Sequence, residues 1–523
     1  MLLPEPTYVA PTPQDAEIFA LTVCAEHYLR RVTAAIDFER YRGLLAQTYS
    51  PDQGRPAIEP LLLLKLEFLQ YQYNLSDRQV IEQSRCNMAY RFFLDLSLHS
   101  RLPAPSLLTY FRQRLGVQRH QQVFDALVGQ AREHGLVKDR LRLKDATHVI
   151  ANIAIPSTIA LVAQTRERLL EALAPWAADA VAQQRQRAEQ IRQSTADLSG
   201  EERLLQRVVH LRELVAWAQL VAASAPFGAA SAVQRQPLEQ ALSVACKVLD
   251  DREDPDRTHQ LLSVHDPDAR HHKHGDFYDG YLLDVAMDAD SQLITAINVL
   301  PGGANEGADA ETLLRREEQA HGNDVQAVSM DGAGFQGAVL HTLTDPEGLA
   351  VEVFTPPREP TYPQEMPPEQ FTLSADQRTL SCPGGQTATQ RHRHPGDGWQ
   401  FRFPRATCAA CPLQARCVPE LPKTTGRTVF KSFYEAEVRA ARRKAQTPEY
   451  ERVRREHPAI ERKIAELVRR HGARRARYWG QAKVLAQQLL TGWVVNIKRL
   501  VQLLPVPGGA GAGTVRAAVV PTG

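Results

Sequence analysis

Two aspartates stand where a charge needs a reason. The stretch AVSMDGAGF, residues 327–335, is a short apolar run that closes on Asp331 and passes directly into a Gly-Ala-Gly-Phe turn. The stretch LRLKDATHVIANIAI, from residue 141, alternates so that Leu141, Leu143, Asp145, Thr147 and Val149 share one face of a strand. A charge at a buried strand end is costly unless a cap, an ion pair or a metal compensates it. Gly332 and Gly334 let backbone or a ligand approach closely, and α/β sheets gather their sites at the carboxyl ends of strands. A third acid, Glu461, lies in HPAIERKIAELVRRHG, at the edge of the stripe formed by Ile460, Ile464 and Leu467 and near a helix start. Three carboxylates converging on one spot repel each other unless cations sit among them. Two Mg²⁺ ions, about 3.5–4 Å apart, would settle that charge, activate a water or hydroxyl and stabilise the leaving oxygen of a phosphodiester. Mg²⁺ prefers oxygen ligands and keeps waters, so a few carboxylates suffice. Composition does not pick these three from sixty acids. Taken singly, each reads more readily as a strand-end cap, a turn former or an exposed helix charge.

A second cluster is made of sulfur. SCPGG and TCAACPLQARC supply Cys382, Cys408, Cys411 and Cys417. The Cys-x2-Cys pair at 408 and 411 has the spacing of a zinc knuckle, and four thiolates would close a structural tetrahedral Zn²⁺ site. The other three of seven cysteines, Cys24, Cys86 and Cys246, sit among apolar residues and read as inert packing. An odd count with four grouped argues for a local metal site and against a disulfide framework. HDPDARHHKHGD offers His265, Asp266, His271, His272 and His274, but their spacing fits no standard metal site, and the run reads as a solvated strand entry with Asp266 and Asp268 near the cleft.

The elements that must hold these residues follow from periodicity. From Asp15 to about Leu136 the pattern is helical: IEPLLLLKLEFLQYQYNL opens near Pro60 as a buried helix, and Ser76 is placed to cap the next. Short helices with tight polar turns suit a helix-turn-helix-like unit in which Arg112, Arg114 and Arg119 could touch phosphates. The strand of Asp145 follows, then a helical stretch from about Ile159 to Asp251, either scaffold or a partner- or DNA-binding arm. YLLDVAMD and LITAINVL read as neighbouring strands joined by DADSQ, followed by the helix ADAETLLRREEQAH and the strand of Asp331. Residues 337–430 show little periodicity. Helices resume near Ser432, at about Pro458, and from Gln481 to about Leu504.

Bulk properties narrow the class. At 523 residues, 43% apolar and 23% charged, the chain is long enough for sizeable cores and globular in composition. No apolar run of about 18 residues implies a membrane span, and the N-terminus lacks the pattern of a secretory signal, which points to the cytoplasm. Net charge is only +2, yet residues 439–483 hold fifteen Lys or Arg against five Glu, a candidate polyanion-binding surface.

In combination and order, these motifs resemble bacterial insertion-sequence transposases of the DDE class, those with an all-helical N-terminal domain and a cysteine-bearing insert. RPAIEPLLLLKLEFLQYQYNLSDRQVIEQSR and PSLLTYFRQRLG resemble the family's N-terminal domain. KDATHVIAN resembles its first catalytic aspartate motif, AVSMDGAGF its second, and HPAIERKIAELVRRHGARRARYWGQAKVLAQQLLTGWVVNIKRL its closing glutamate helix. The resemblance covers residues 15–504 and implies that Asp145, Asp331 and Glu461 are the catalytic, metal-holding acids. It implies an α/β fold, an RNase H-like mixed sheet flanked by helices. On that frame the chain divides into a disordered N-terminus (1–14), a helical DNA-binding domain (15–136), a first part of the core (137–158), a helical insertion (159–250), the continued core (251–336), a Cys-rich zinc-ribbon-like insertion (337–431), the C-terminal helices (432–504) and a flexible tail (505–523).

The activity implied is two-metal DNA cleavage and strand transfer with Mg²⁺, for which Mn²⁺ can substitute. The partners implied are double-stranded DNA, as terminal inverted repeats and target, and further copies of the chain in a homodimer or higher oligomer. The place implied is the bacterial cytoplasm at the nucleoid. The alternatives are a non-catalytic DNA-binding descendant and a simple metal nuclease. Two departures stand out. Many relatives carry a Lys seven residues after the Glu, where this chain has Val468, followed by Arg469 and Arg470. The same pattern is shifted on its other side, with Tyr450 and Arg454 further upstream than expected, and the second departure is YLLDV, where relatives often have a basic residue after the Gly-Tyr.

Overall fold

The structure is a computed structural model that describes residues 9–50, 58–254, 259–274, 276–307, 309–358 and 366–505. Most of the proposed disordered N-terminus and all but the first residue of the flexible tail lie outside the described residues.

Six strands form the central sheet: β1 (Arg142–Ile150), β2 (Arg270–His274), β3 (Asp276–Asp288), β4 (Ile294–Pro301), β5 (Ala327–Ser329) and β6 (Glu352–Phe354). β4, β3 and β1 are antiparallel neighbours, and β1, β5 and β6 run parallel, so the order is β4–β3–β1–β5–β6. β2 pairs with the first part of β3, beside β4. This is the RNase H-like mixed sheet that the sequence implied. At Gly280 β3 passes from β2 toward β1 and β4 with φ +157°, and a Cβ there would lie 2.0 Å from Val149 O, so only glycine lets the strands close.

The buried start of β1 is pinned by charge. Arg142, fully buried, donates to Glu317 Oε1 at 2.6 Å and to Asp288 Oδ1 at 3.0 Å, joining β1 to the helix Ala310–His321 and to the end of β3. Removing one partner of such a buried pair costs about 3–5 kcal/mol, so the register of β1 is firmly set three residues before Asp145.

The helix Gln481–Leu503 is buried on almost every side and serves as a spine between β4 and the N-terminal helices. Its Trp493 is fully buried against Phe38, Tyr41 and Phe68, and its Nε1 donates to Tyr41 Oη at 3.1 Å. One continuous apolar core therefore runs from Val23 through the sheet to Val501. The helix Pro60–Gln72 begins at Pro60, and Ser76 forms a capping box with Gln79 for the helix Asp77–Cys86, as the sequence reads. The first helix, Pro13–Thr22, begins inside the segment expected to be disordered, because Thr12 and Asp15 cap it reciprocally.

The helical insertion consists of Thr158–Leu173, Ala178–Ser194, Gly200–Ala222, Ala225–Ala229 and Ala232–Glu253, with an apolar core of its own. The proposed Cys-rich insertion starts too early: Gly337–Thr344 is a helix packed on the core, and Glu352–Phe354 is the edge strand β6. A three-residue parallel strand carries too little pattern to be read from sequence. The cysteine-bearing part proper folds around Phe371, Leu380, Phe401, Phe403 and Val429. Tyr450 and Arg454 belong to a further helix, Pro448–Glu456, which the sequence reading did not separate.

Candidate active site

β1 and β5 run parallel with Arg142 opposite Val328 and Leu143 opposite Ser329. Two residues further along each chain come Asp145 and Asp331, abreast. Met330 N still bonds Phe354 O at 2.9 Å, and Thr355 Oγ1 donates to Asp331 O at 2.6 Å, so the backbone stays held out to Asp331. The Asp331 carboxylate accepts from Ala333 N at 3.0 Å and caps the short turn Gly332–Gly334. Close backbone approach belongs to a different glycine: a Cβ on Gly307 would lie 2.8 Å from Ala333 O, so the loop after β4 rests directly on the Asp331 turn.

Asp145 Oδ1 accepts from its neighbour's Ala146 N–H at 2.8 Å. Burial pushes the Asp145 carboxyl up to about 6, partly opposed by that bond and by Lys144, with the charges of Asp331 and Glu306 adding to the rise. Glu461 is the fourth residue of the helix Pro458–Arg470 and is exposed.

One cation reaches the end of β5. Arg454 Nη1 donates to Met330 O at 2.6 Å and to Ser329 Oγ at 3.1 Å, and its guanidinium lies in the field of Asp331, Glu461 and Asp145 together. Although Arg454 lies off the family spacing, the helix Pro448–Glu456 brings it in. Beside it His457 is buried, with Nδ1 3.1 Å from Ser329 Oγ; burial, then the charge of Arg454, holds its imidazole at about 4, so the ring is neutral at pH 7.

A fourth carboxylate was missed. Asp284 on β3 pairs in register with Ala146, is fully buried, and meets Lys144 Nζ at 3.0 Å. Burial pushes it up to about 7 against the pull of Lys144, and the charges of Asp309 and Asp145 add to the rise. The signal was available: Asp284 is the one charge inside the apolar run YLLDVAM. On the face of β1 that carries Asp145, Arg474 donates to Thr147 Oγ1 at 3.1 Å and to His148 O at 2.7 Å.

Other expectations need correction. Arg112 is not offered to phosphate: its side chain is 11% exposed and ion-paired with Glu67 and Asp77, because it bridges three helices of the N-terminal unit. Arg114, over the ring of Tyr49, and Arg119, bonded to Gln122, stay at the surface of the same helix, where the phosphate reading still applies to them. Asp266 and Asp268 cap the spine helix, accepting from Gly480 N at 3.0 Å and Gln481 N at 2.9 Å. His271 on β2 pairs with Asp279 on β3 at 2.7 Å. Cys24 and Cys86 are exposed, the first in the connection after the helix Pro13–Thr22 and the second at the end of the helix Asp77–Cys86.

Cys382, Cys408, Cys411 and Cys417 line one small cavity. Backbone N–H groups of Gln386 and Arg427 point at the sulfurs of Cys382 and Cys408, at 3.4 and 3.3 Å. Burial, then the charges of the other three thiols, pushes Cys417 up to about 11. Among the described residues, however, no three His, Cys, Asp or Glu side chains stand together as a closed ligand group, in the insert or around Asp145. No helix among them is long and apolar enough to cross a membrane.

Neither a search of curated proteins nor one of solved structures returned a match. Two family models match. A transposase domain (DUF772) covers residues 18–114, the N-terminal helices, and a transposase DDE domain covers residues 381–501, from the first clustered cysteine through Glu461 to the spine helix. Asp145 and Asp331 lie outside both stretches. Those two matches, in this order on a chain with an RNase H-like sheet, show that it is similar to the insertion-sequence DDE transposases over both stretches.

Proposed function

We propose that the chain cuts DNA at the ends of its element and joins the freed ends to a target, with Asp145, Asp331 and Glu461 as the catalytic acids. The observation that carries this reading is the parallel register of β1 and β5, which pairs Leu143 with Ser329 and so sets Asp145 and Asp331 two residues beyond the same pair. Carboxylates suit a hard divalent cation such as Mg²⁺ or Mn²⁺, and Asp145, Asp331 and Glu461 would close around it. When bound, such ions make a nucleophile of water or hydroxyl and stabilise the leaving oxygen.

The chain's own residues prepare the place. Arg454 fixes the Asp331 turn through Met330 O and offsets part of the acidic charge. Burial and the neighbouring acids raise the affinity of Asp145 for a proton, and a bound cation would oppose that rise. His457, neutral, holds Ser329 and does not compete for the acids. In this reading the N-terminal helices bind terminal inverted repeats, the active species is a homodimer or larger assembly on paired ends, and the protein works at the nucleoid. The four insert cysteines have the donor chemistry of a structural Zn²⁺ site. Metal analysis of the purified protein should find about one zinc per chain, lost in Cys408→Ser with Cys411→Ser; a zinc-free wild type would remove that part.

The test is cleavage of a duplex carrying the element's end. Wild type with Mg²⁺ should nick at the element boundary, EDTA should abolish it, and Asp331→Asn should bind the same duplex without cutting. Tight binding with no cutting by wild type would instead favour a non-catalytic DNA-binding descendant. Cutting that ignores the end sequence would favour a simple nuclease.

A further inference from the structure

The helix of Glu461 has a second polar side, turned away from both the acids and the core. Between it and the spine helix lies a groove of about 450 Å³ lined by Arg462, Lys463, Arg469, Arg470, Lys498 and Arg499, with Glu466 as its one carboxylate. Glu466 is already satisfied, accepting from Lys498 Nζ at 2.6 Å and from Lys463 Nζ at 3.3 Å. Arg499 is held from behind by Ser291 O at 2.7 Å. Arg462, Arg469 and Arg470 are exposed. Two of these, Arg469 and Arg470, occupy the last turn of their helix, where cations favour the helix dipole. That accounts for neither Arg462 nor Arg499, nor for two buried or half-buried lysines sharing one acid. Six cations facing one neutralised carboxylate, in a groove whose lining is polar, complement a polyanion.

We infer that this groove seats the sugar-phosphate backbone of duplex DNA without reading its sequence. The inference rests on the DNA-cutting reading and deepens it. The lining supplies forks and ammonium groups suited to phosphate oxygens. Phosphate contacts position a duplex; they do not specify it. The occupant is therefore DNA whose sequence is not fixed, the target or the flank, while the element ends engage elsewhere.

The test measures binding of a random-sequence duplex against salt concentration, for wild type and for Arg462→Ala/Arg469→Ala/Arg470→Ala. Each phosphate contact contributes about 0.9 to the slope of log K against log salt. Loss of three should flatten the slope by about 2–3, while Arg212→Ala, a cation of the helical insertion, should leave it as in wild type. Retained circular dichroism and melting temperature would show that the triple variant is folded, and the separate variant Lys498→Gln should flatten the slope by about 1. An unchanged slope in both groove variants overturns the proposal. So does flattening seen only on the end-bearing duplex, which would make the groove part of specific end recognition. Wild-type cleavage is scored separately: if wild type fails to cut, the transposase reading falls while the slopes still judge the groove.

Discussion

Residues 13–133 and residues 158–253 are both strings of amphipathic helices, and one sits on each side of β1 in the sequence. Their relations to the sheet are opposite. The first region has no core that is separate from the sheet's: Phe38, Tyr41 and Phe68 close around Trp493, a residue of the spine helix more than four hundred positions away. The second buries Leu169, Leu211, Leu214 and Leu238 among its own helices, in a cluster that shares no residue with the first. The teaching is that helical periodicity reports a buried face but not what buries it. The region expected to be a helical DNA-binding domain shares one apolar core with the sheet that carries Asp145.

Two substitutions press on that contrast. Trp493→Ala should cost about 3–5 kcal/mol and should lower hydrogen-exchange protection in the N-terminal helices and in the sheet together. Protection lost in only one of the two would separate them into independent units. The smaller effect is Leu211→Ala, also worth about 2–5 kcal/mol locally, whose loss of protection should stay within residues 158–253. If β1 or the spine helix loosened as much, the insertion would have to be counted as part of the core.

Much of this arrangement was legible in the sequence, and the failures have physical causes. Long elements with a clear period were read correctly: the helix at Pro60, the Ser76 cap, β3 and β4, and the spine helix. β6 was lost because three residues cannot display a period, and the boundary of the cysteine-bearing insert moved with it. Among the acids, Asp145 and Asp331 were reachable because each interrupts a strand pattern and the parallel register brings them abreast. Glu461 was placed at the edge of a helical stripe, but nothing local distinguishes it from Glu466 one turn later, which is spent on Lys463 and Lys498. Asp284 interrupts β3 as plainly as Asp145 interrupts β1, yet only the pairing of the two strands reveals that they adjoin. Arg454 could not be assigned from spacing, since a turn between two short helices sets its reach. Arg112 failed the other way: a basic residue on a helix was read as free when three helices had enclosed it.

The central claim is that acids from three distant stretches make one cation-holding centre, and the most direct measurement is to let a cation mark its own neighbours. Fe²⁺ loaded in place of Mg²⁺ and exposed to peroxide generates radicals that cut the nearby backbone. The account expects cuts near residues 145, 331 and 461 in the same molecule population, suppressed together by excess Mg²⁺ and by Asp331→Asn. Cuts near only one of the three, or a pattern that Asp331→Asn leaves intact, would contradict it.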